Sequence, residues 1–266
     1  MKTIFLCEDT PEGIFTGIYR AWEKGVHDTG VEVEGYQTMS LFAQYEPIET
    51  NWELAQKVVR SVKEKISPRV YEQIYHAALS IEEDKAQIIY QYMRKAFRMG
   101  ERIMDALGDE DVRGVFEMDR QVSREAHSYL EFLRFEELDT GILAAKINPK
   151  CHILPLIVEH FADRLWLEHW IILDTGRGMS CVHMAKKGYF FTNDLKENSL
   201  KDLPKSKNEQ EMDKLWKCFV HSIAIGERRN IVLQRQNLPL RYRTYMNEMQ
   251  EADRSAKQVN KYVIKK

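Results

Sequence analysis

A 266-residue chain with 44% apolar and 30% charged residues can bury a sizeable core and lies far from the composition of a disordered segment. No apolar run approaches the roughly 20 residues of a membrane-crossing helix, and Glu8 and Asp9 follow the opening Met1 to Cys7 too soon for a secretory leader, so the expectation is a soluble, cytoplasmic protein with no membrane partner. The net charge of −2 hides a gradient: residues 81–139 carry 15 acids and nine bases, residues 214–266 carry 12 bases and four acids, so the C-terminal part is suited either to an anionic partner or to the chain's own acidic helices.

In chain order, Met1 to Cys7 reads as a strand, and Thr10-Pro11 as an N-cap and first turn of a helix ending near Gly25. Val31 to Tyr36 alternates and reads as a short strand. A helical block spans residues 50–130. Its first helix opens on a capping box at Thr50 to Glu53, its second at Ser67-Pro68, its third runs from Asp84 to Leu107 and its fourth from about Asp109. Then the period changes. Glu131 to Leu138 and Ile142 to Ile147 flank Asp139-Thr140-Gly141, and His169 to Leu173 and Met179 to Met184 flank Asp174 to Gly178, giving two hairpins, with a helix from Pro155 to Leu165 between them. Tyr189-Phe190-Phe191 adds a strand, residues 193–210 read as a mobile polar loop, a helix carries Met212 to Ile223, and a terminal helix begins at Leu238-Pro239. The fold class expected is α+β in one domain over residues 1–266: an N-terminal strand and helical block, then an antiparallel sheet of hairpins with C-terminal helices, rather than a wound parallel sheet.

Four constellations carry chemistry. Arg124 and His127 lie three apart on a helix, with Arg134 on the strand beyond, and an arginine holds a nearby histidine neutral for proton transfer or phosphate binding. His160 and Arg164 lie four apart on one helical face beside Asp163. Asp174 ends a strand before Arg177, where turn formation and catalysis both favour an aspartate. Arg228, Arg229 and Arg241, with Tyr242 and Tyr245 interleaved, suit phosphate contact and base stacking. The first would equally serve as a helix-end ion-pair cluster, turn chemistry alone would explain Asp174, and the fourth would look the same as a solvated helix face or a salt-bridge network to the acidic block. The scattered Cys7, Cys151, Cys181 and Cys218 contain no CxxC pair and read as buried thiols in a reducing compartment. HExxH, GxxxxGK[ST], GxGxxG and GxSxG are all absent, so no metal and no cofactor is expected.

The string Ser123-Arg124-Glu125-Ala126-His127, then Phe132-Leu133-Arg134-Phe135, Ile147-Asn148-Pro149, His160 to Arg164 and His169 to Asp174 resembles the heart of domain-of-unknown-function family 4130. Glu12 to Tyr19 resembles its N-terminal signature, and Ile225 to Asn230 with Gln236 to Tyr242 its tail, so the resemblance spans most of the chain. It implies a DNA-metabolism or DNA-repair protein associated with a radical-SAM protein bearing a helix-hairpin-helix, in some members joined to a uracil-DNA-glycosylase-like domain. This chain lacks the cysteine triplet of a radical-SAM enzyme, so a partner would supply that chemistry.

The leading expectation is therefore a DNA-binding protein in which Arg124, Arg134, Arg164 and Arg177 grip phosphate, Arg228, Arg229 and Arg241 extend the anion-binding surface, and His127, His160 and Asp174 are the acid–base candidates. Two alternatives stand beside it. One is an enzyme in its own right on a nucleic-acid base or phosphodiester, which requires those three side chains to converge. The other is a non-enzymatic adaptor for the partner.

Overall fold

The computed structural model describes residues 2–36, 41–195, 204–228, 230–246 and 249. The fold is α+β, and the chain divides into two compact units: Met1–Glu125 with Lys150–Ile153, and Ala126–Pro149 with Leu154–Lys266. Among the described residues no helix is long and apolar enough to cross a membrane.

The first unit is built on a three-stranded sheet of order β2-β1-β3, with β1 Lys2–Cys7, β2 Thr29–Val33 and β3 Ala43–Pro47. Both neighbours of β1 run parallel to it. The reason lies in the connection: α1 (Pro11–Lys24) occupies the link between β1 and β2, and a helical crossover returns the chain in the same direction. Residues Thr3 to Cys7 are all buried, as a central strand covered on both faces requires. Thr10 caps α1, its Oγ1 accepting from Gly13 N at 3.0 Å. Two glycines let α1 lie close to its neighbours: a Cβ on Gly13 would stand 2.6 Å from the Glu8 carbonyl oxygen, and one on Gly17 would stand 2.7 Å from Val31 Cγ1.

The helical block follows as α2 (Trp52–Lys65), α3 (Pro68–Ala78), α4 (Lys85–Met99) and α5 (Glu110–Phe132). Asn51, rather than the expected Thr50, caps α2 by accepting from Leu54 N at 3.1 Å, while Thr50 Oγ1 donates to Glu8 Oε2. Ser67 caps α3 as the sequence predicts. α4 stops at Gly100, whose φ of +65° disfavours any residue with a side chain, and a 3₁₀ turn covers Gly100–Asp105. The buried stripes close the core on the sheet through Ile14, Ile18, Val31, Ile74, Ile89 and Met93. Inside that core the Tyr90 and Thr29 hydroxyls share a 2.8 Å hydrogen bond.

The second unit holds a five-stranded sheet of order β4-β5-β6-β7-β8, comprising Glu136–Glu137, Leu143–Ile147, Trp170–Asp174, Met179–Met184 and Gly188–Thr192. Both expected hairpins form, with Gly141 (φ +75°) and Gly178 (φ +67°) in their turns. The first is shorter than expected, because α5 continues through Phe132. The sheet is mixed rather than antiparallel: α6 (Leu154–Arg164) crosses between β5 and β6, which consequently pair in parallel. Trp170 and His183 face each other across β6 and β7 with their rings stacked at 4.9 Å, and His183 Nδ1 donates to the Glu168 carbonyl at 2.9 Å.

Beyond the sheet come α7 (Lys207–Ile223), α8 (Ile231–Asn237) and a 3₁₀ turn at Leu240–Tyr245, which stands where a terminal helix was expected. Residues 196–203 of the anticipated mobile loop lie outside the described residues; its C-terminal end bridges Lys205 to Leu138 and enters α7.

Gly13→Ala is expected to destabilise the first unit by about 1–3 kcal/mol, because backbone must move to admit the methyl group. Gly108→Ala, with nothing within 4 Å of the new Cβ, is expected to stay within about 0.5 kcal/mol. Urea unfolding followed by circular dichroism compares the two.

Candidate nucleic-acid interface

The parallel pair β5 and β6 ends in register at Ile147 and Asp174. Ligands of open sheets gather outside the carboxyl ends of parallel strands. Here those ends carry Asn148-Pro149 and Thr175-Gly176-Arg177-Gly178.

Asp174 organises this corner. Its residue is completely buried, its Oδ1 accepts from Gly176 N at 3.0 Å and Arg177 N at 3.2 Å, and its Oδ2 accepts from Arg177 Nη1 at 3.2 Å. The same Nη1 donates to the Pro149 carbonyl at 3.2 Å, so one guanidinium ties the two strand ends together. Burial pushes the Asp174 carboxyl above the usual aspartate range, against the pull of Arg177 and the turn N–H groups. A Cβ at Gly176 would stand 2.9 Å from Asn148 Oδ1, so a larger residue there requires that side chain to shift. The Arg177 side chain itself remains 31% exposed.

An aromatic layer continues from this corner. Thr175 Oγ1 donates to the Ile147 carbonyl at 3.1 Å and lies 3.2 Å from the Tyr245 hydroxyl. The Tyr129 hydroxyl accepts from Asn148 N at 3.3 Å, and its ring meets Tyr242 edge-on at 5.1 Å. The Arg241 guanidinium sits 4.6 Å from the Tyr242 ring centroid and donates to its hydroxyl. Arg243 is buried instead, donating to the carbonyls of Gln234 and Leu238, and holds the 3₁₀ turn in place. The exposed Arg241 guanidinium, backed by the buried Tyr242 ring, and the partly exposed Arg177 can bind phosphate oxygens, whereas the buried Tyr129 and Tyr242 rings are closed to the base stacking the sequence suggested.

Asp174, Arg177 and Arg241 therefore belong to one contiguous network. The other candidates stand apart from it. His127, on the last turns of α5, pairs with Glu131 at 3.2 Å with its side chain 73% exposed. Arg134 lies beyond the helix end rather than on a strand, its Nη1 near the Glu131 and Leu133 carbonyls. His160 is exposed on α6 with its ring edge-on to Phe161 at 5.3 Å, and Arg164 is exposed on the last turn, where a cation complements the helix dipole. Arg124 is exposed on the part of α5 that falls in the first unit. Arg228 is exposed in a 3₁₀ turn at Gly226–Arg228, and Arg229 lies outside the described residues. No hydrogen bond, ion pair or ring contact joins His127, His160 and Asp174 to one another.

Sequence reasoning missed two residues that organise these segments. Glu125, inside the Ser123 to His127 string, is a buried carboxylate accepting from Lys150 N at 3.1 Å and Cys151 N at 2.7 Å. Tyr129 supplies the buried hydroxyl at Asn148. Both lie beside the apolar stripe of α5, the one signal that would have marked them as inward-facing. Cys7, Cys151 and Cys181 are buried as expected, and burial pushes the Cys7 and Cys181 thiols up to about 12; Cys218 is exposed, contrary to expectation.

Asp174→Ala is expected to cost about 1–3 kcal/mol by leaving turn N–H donors without an acceptor, and Asp174→Asn less, because the amide oxygen still accepts. The raised pKa means that the folded protein holds this proton more tightly than the unfolded chain. The stability that Asp174 contributes is therefore largest below its ordinary value of 3.8 and falls as pH rises through the folded value. Urea midpoints of wild type and Asp174→Asn across the acid range should converge or cross in that sense as pH rises.

No curated protein matches the chain. Among solved structures, the DHH domain of a member of the s1p family of ribosomal proteins aligns at 10% identity over 69% of this chain and 74% of that one, with a TM-score of 0.31, too slight a likeness to carry an inference. The model of DUF4130, described as a domain of unknown function, matches residues 83–248, which is more than half of the chain and contains the entire strand-end network. The chain belongs to the DUF4130 family.

Proposed function

We propose that this protein is a cytoplasmic DNA-metabolism or DNA-repair factor that binds nucleic acid at the strand-end network and works with a radical-SAM partner. The observation that carries the reading is the pairing of Arg177, fixed by buried Asp174, with the Arg241–Tyr242 stack on the same network. A guanidinium already oriented by a carboxylate loses little freedom when it meets a phosphate, and the exposed Arg241 adds a second contact. The basic C-terminal part supplies the longer-range attraction. In this reading Asp174 positions Arg177 and does not itself touch the nucleic acid.

Binding to single- and double-stranded DNA, measured across salt, is expected to weaken linearly in log–log form. Arg241→Ala and Arg177→Lys are each expected to weaken it, with Arg241→Ala reducing the slope by about one. Salt-independent binding, or affinity unchanged in both variants, would contradict the reading.

One feature favours an adaptor role beside it. Along α7, Met212, Leu215, Trp216, Phe219 and Ile223 share one stripe and are 45–64% exposed, and no residue of the helix is buried. Such a face suits a groove on a protein partner. Leu215→Glu with Phe219→Glu is expected to abolish co-purification with the radical-SAM helix-hairpin-helix partner while leaving DNA affinity unchanged. Retained co-purification would rule this face out.

A further inference from the structure

The first unit contains a cavity of about 450 Å³ that shares no residue with the strand-end network. Helices α1, α2 and α4 build it. Its floor is apolar and buried: Ile18, Val58 and Met93. Its wall is aromatic: Trp22 stands edge-on to Phe97 with centroids 5.1 Å apart, remains 37% exposed, and is joined in the lining by Tyr19.

The third side is polar. Lys57, Ser61 and Lys65 recur every fourth residue on α2, which sets them in one row along the cavity. Lys57 Nζ lies 5.7 Å from the Tyr19 ring centroid, and neither lysine has a carboxylate partner among the described residues. The acid at the mouth, Glu23, is already paired with Arg20 at 2.9 Å. The lining thus presents two lysines and one carboxylate already paired with Arg20, beside an aromatic wall.

We propose that this cavity binds a nucleoside monophosphate unit, the base lying against the Trp22, Phe97 and Tyr19 wall and the phosphate on its sugar meeting Lys57, Ser61 and Lys65. The volume falls within the roughly 300–1,000 Å³ of small-ligand sites. An acyl chain would use the apolar floor but not the row of cations, and an inorganic anion would leave the aromatic wall unused. The unit can come as a free mononucleotide or as one nucleotide of a single strand, since both present the same base, sugar and phosphate. This site does not depend on the reading of the second unit.

The test is equilibrium binding by calorimetry on the full chain, with deoxynucleoside monophosphates, the matching nucleosides, and a short single-stranded oligodeoxynucleotide as separate titrants. Saturable binding of a monophosphate is expected, with the nucleoside weaker by about tenfold or more. Lys57→Ala with Lys65→Ala should lower monophosphate affinity by a similar factor, and so should Trp22→Ala. All three side chains are exposed enough for the variants to fold, and Trp22→Phe gives a milder second check. Monophosphate affinity lost in Arg241→Ala but kept in the lysine variant would assign the ligand to the strand-end network and overturn the proposal. Displacement of the monophosphate by the oligonucleotide assigns the site to a strand, and its absence assigns it to the free nucleotide. Equal affinity for nucleoside and nucleotide, no saturation up to about 1 mM, or wild-type affinity in the lysine variant would overturn the proposal.

Discussion

A completely buried aspartate at the end of β6 is the constraint on which the second unit's surface depends. Asp174 is costly to bury, and burial indeed pushes its carboxyl up, yet it accepts from two turn N–H groups and one guanidinium. Those bonds decide the path of the β6–β7 turn, the position of Arg177, and through the Pro149 carbonyl the spacing of two parallel strand ends. The tyrosines then fill in behind: Tyr129 holds the backbone at Asn148, Tyr245 meets Thr175, and Tyr242 carries Arg241. A charge that would be expensive alone becomes the organiser of an exposed basic ledge.

Much of this was legible in the chain and some was not. Caps at Thr10 and Ser67 and turns at Gly141 and Gly178 follow from local rules that act over three or four residues, whereas Trp52 and Phe116, on the apolar stripes of α2 and α5, stay exposed. Strand direction does not follow from such rules. Seeing strands at residues 142–147 and 169–173, with a helix between them, contains the information that they run parallel, but the hairpins on either side suggested antiparallel pairing throughout. The parallel sheet around β1 is likewise set by a crossover helix, and β3 is faint in sequence because Ala43–Pro47 is short, ends on a proline and carries few residues of strong β preference. At the site, Asp174 and Arg177 were visible because a turn keeps neighbours together. The union of Arg241 with them was not, because it depends on how the 3₁₀ turn at Leu240–Tyr245 packs within its unit.

The candidate histidines illustrate the limit from the other side. Helical spacing placed His127 near Arg124 and His160 near Arg164, and α5 and α6 do form. Spacing says which residues share a face but not what that face meets. In the structure His127 is held by Glu131 and exposed, and His160 is exposed against Phe161. Buried Glu125, unremarkable in sequence between Arg124 and His127, turns out to receive two backbone N–H groups. The short string that carries the family resemblance thus contains a structural clamp as well as surface charge.

We propose that nucleic acid meets the chain at the carboxyl ends of β5 and β6. Hydrogen–deuterium exchange of the full chain, with and without a saturating single-stranded oligodeoxynucleotide, addresses it directly. New protection is expected chiefly at residues 147–149, 174–178 and 240–245. Protection that leaves all three segments unchanged while DNA is bound would contradict it.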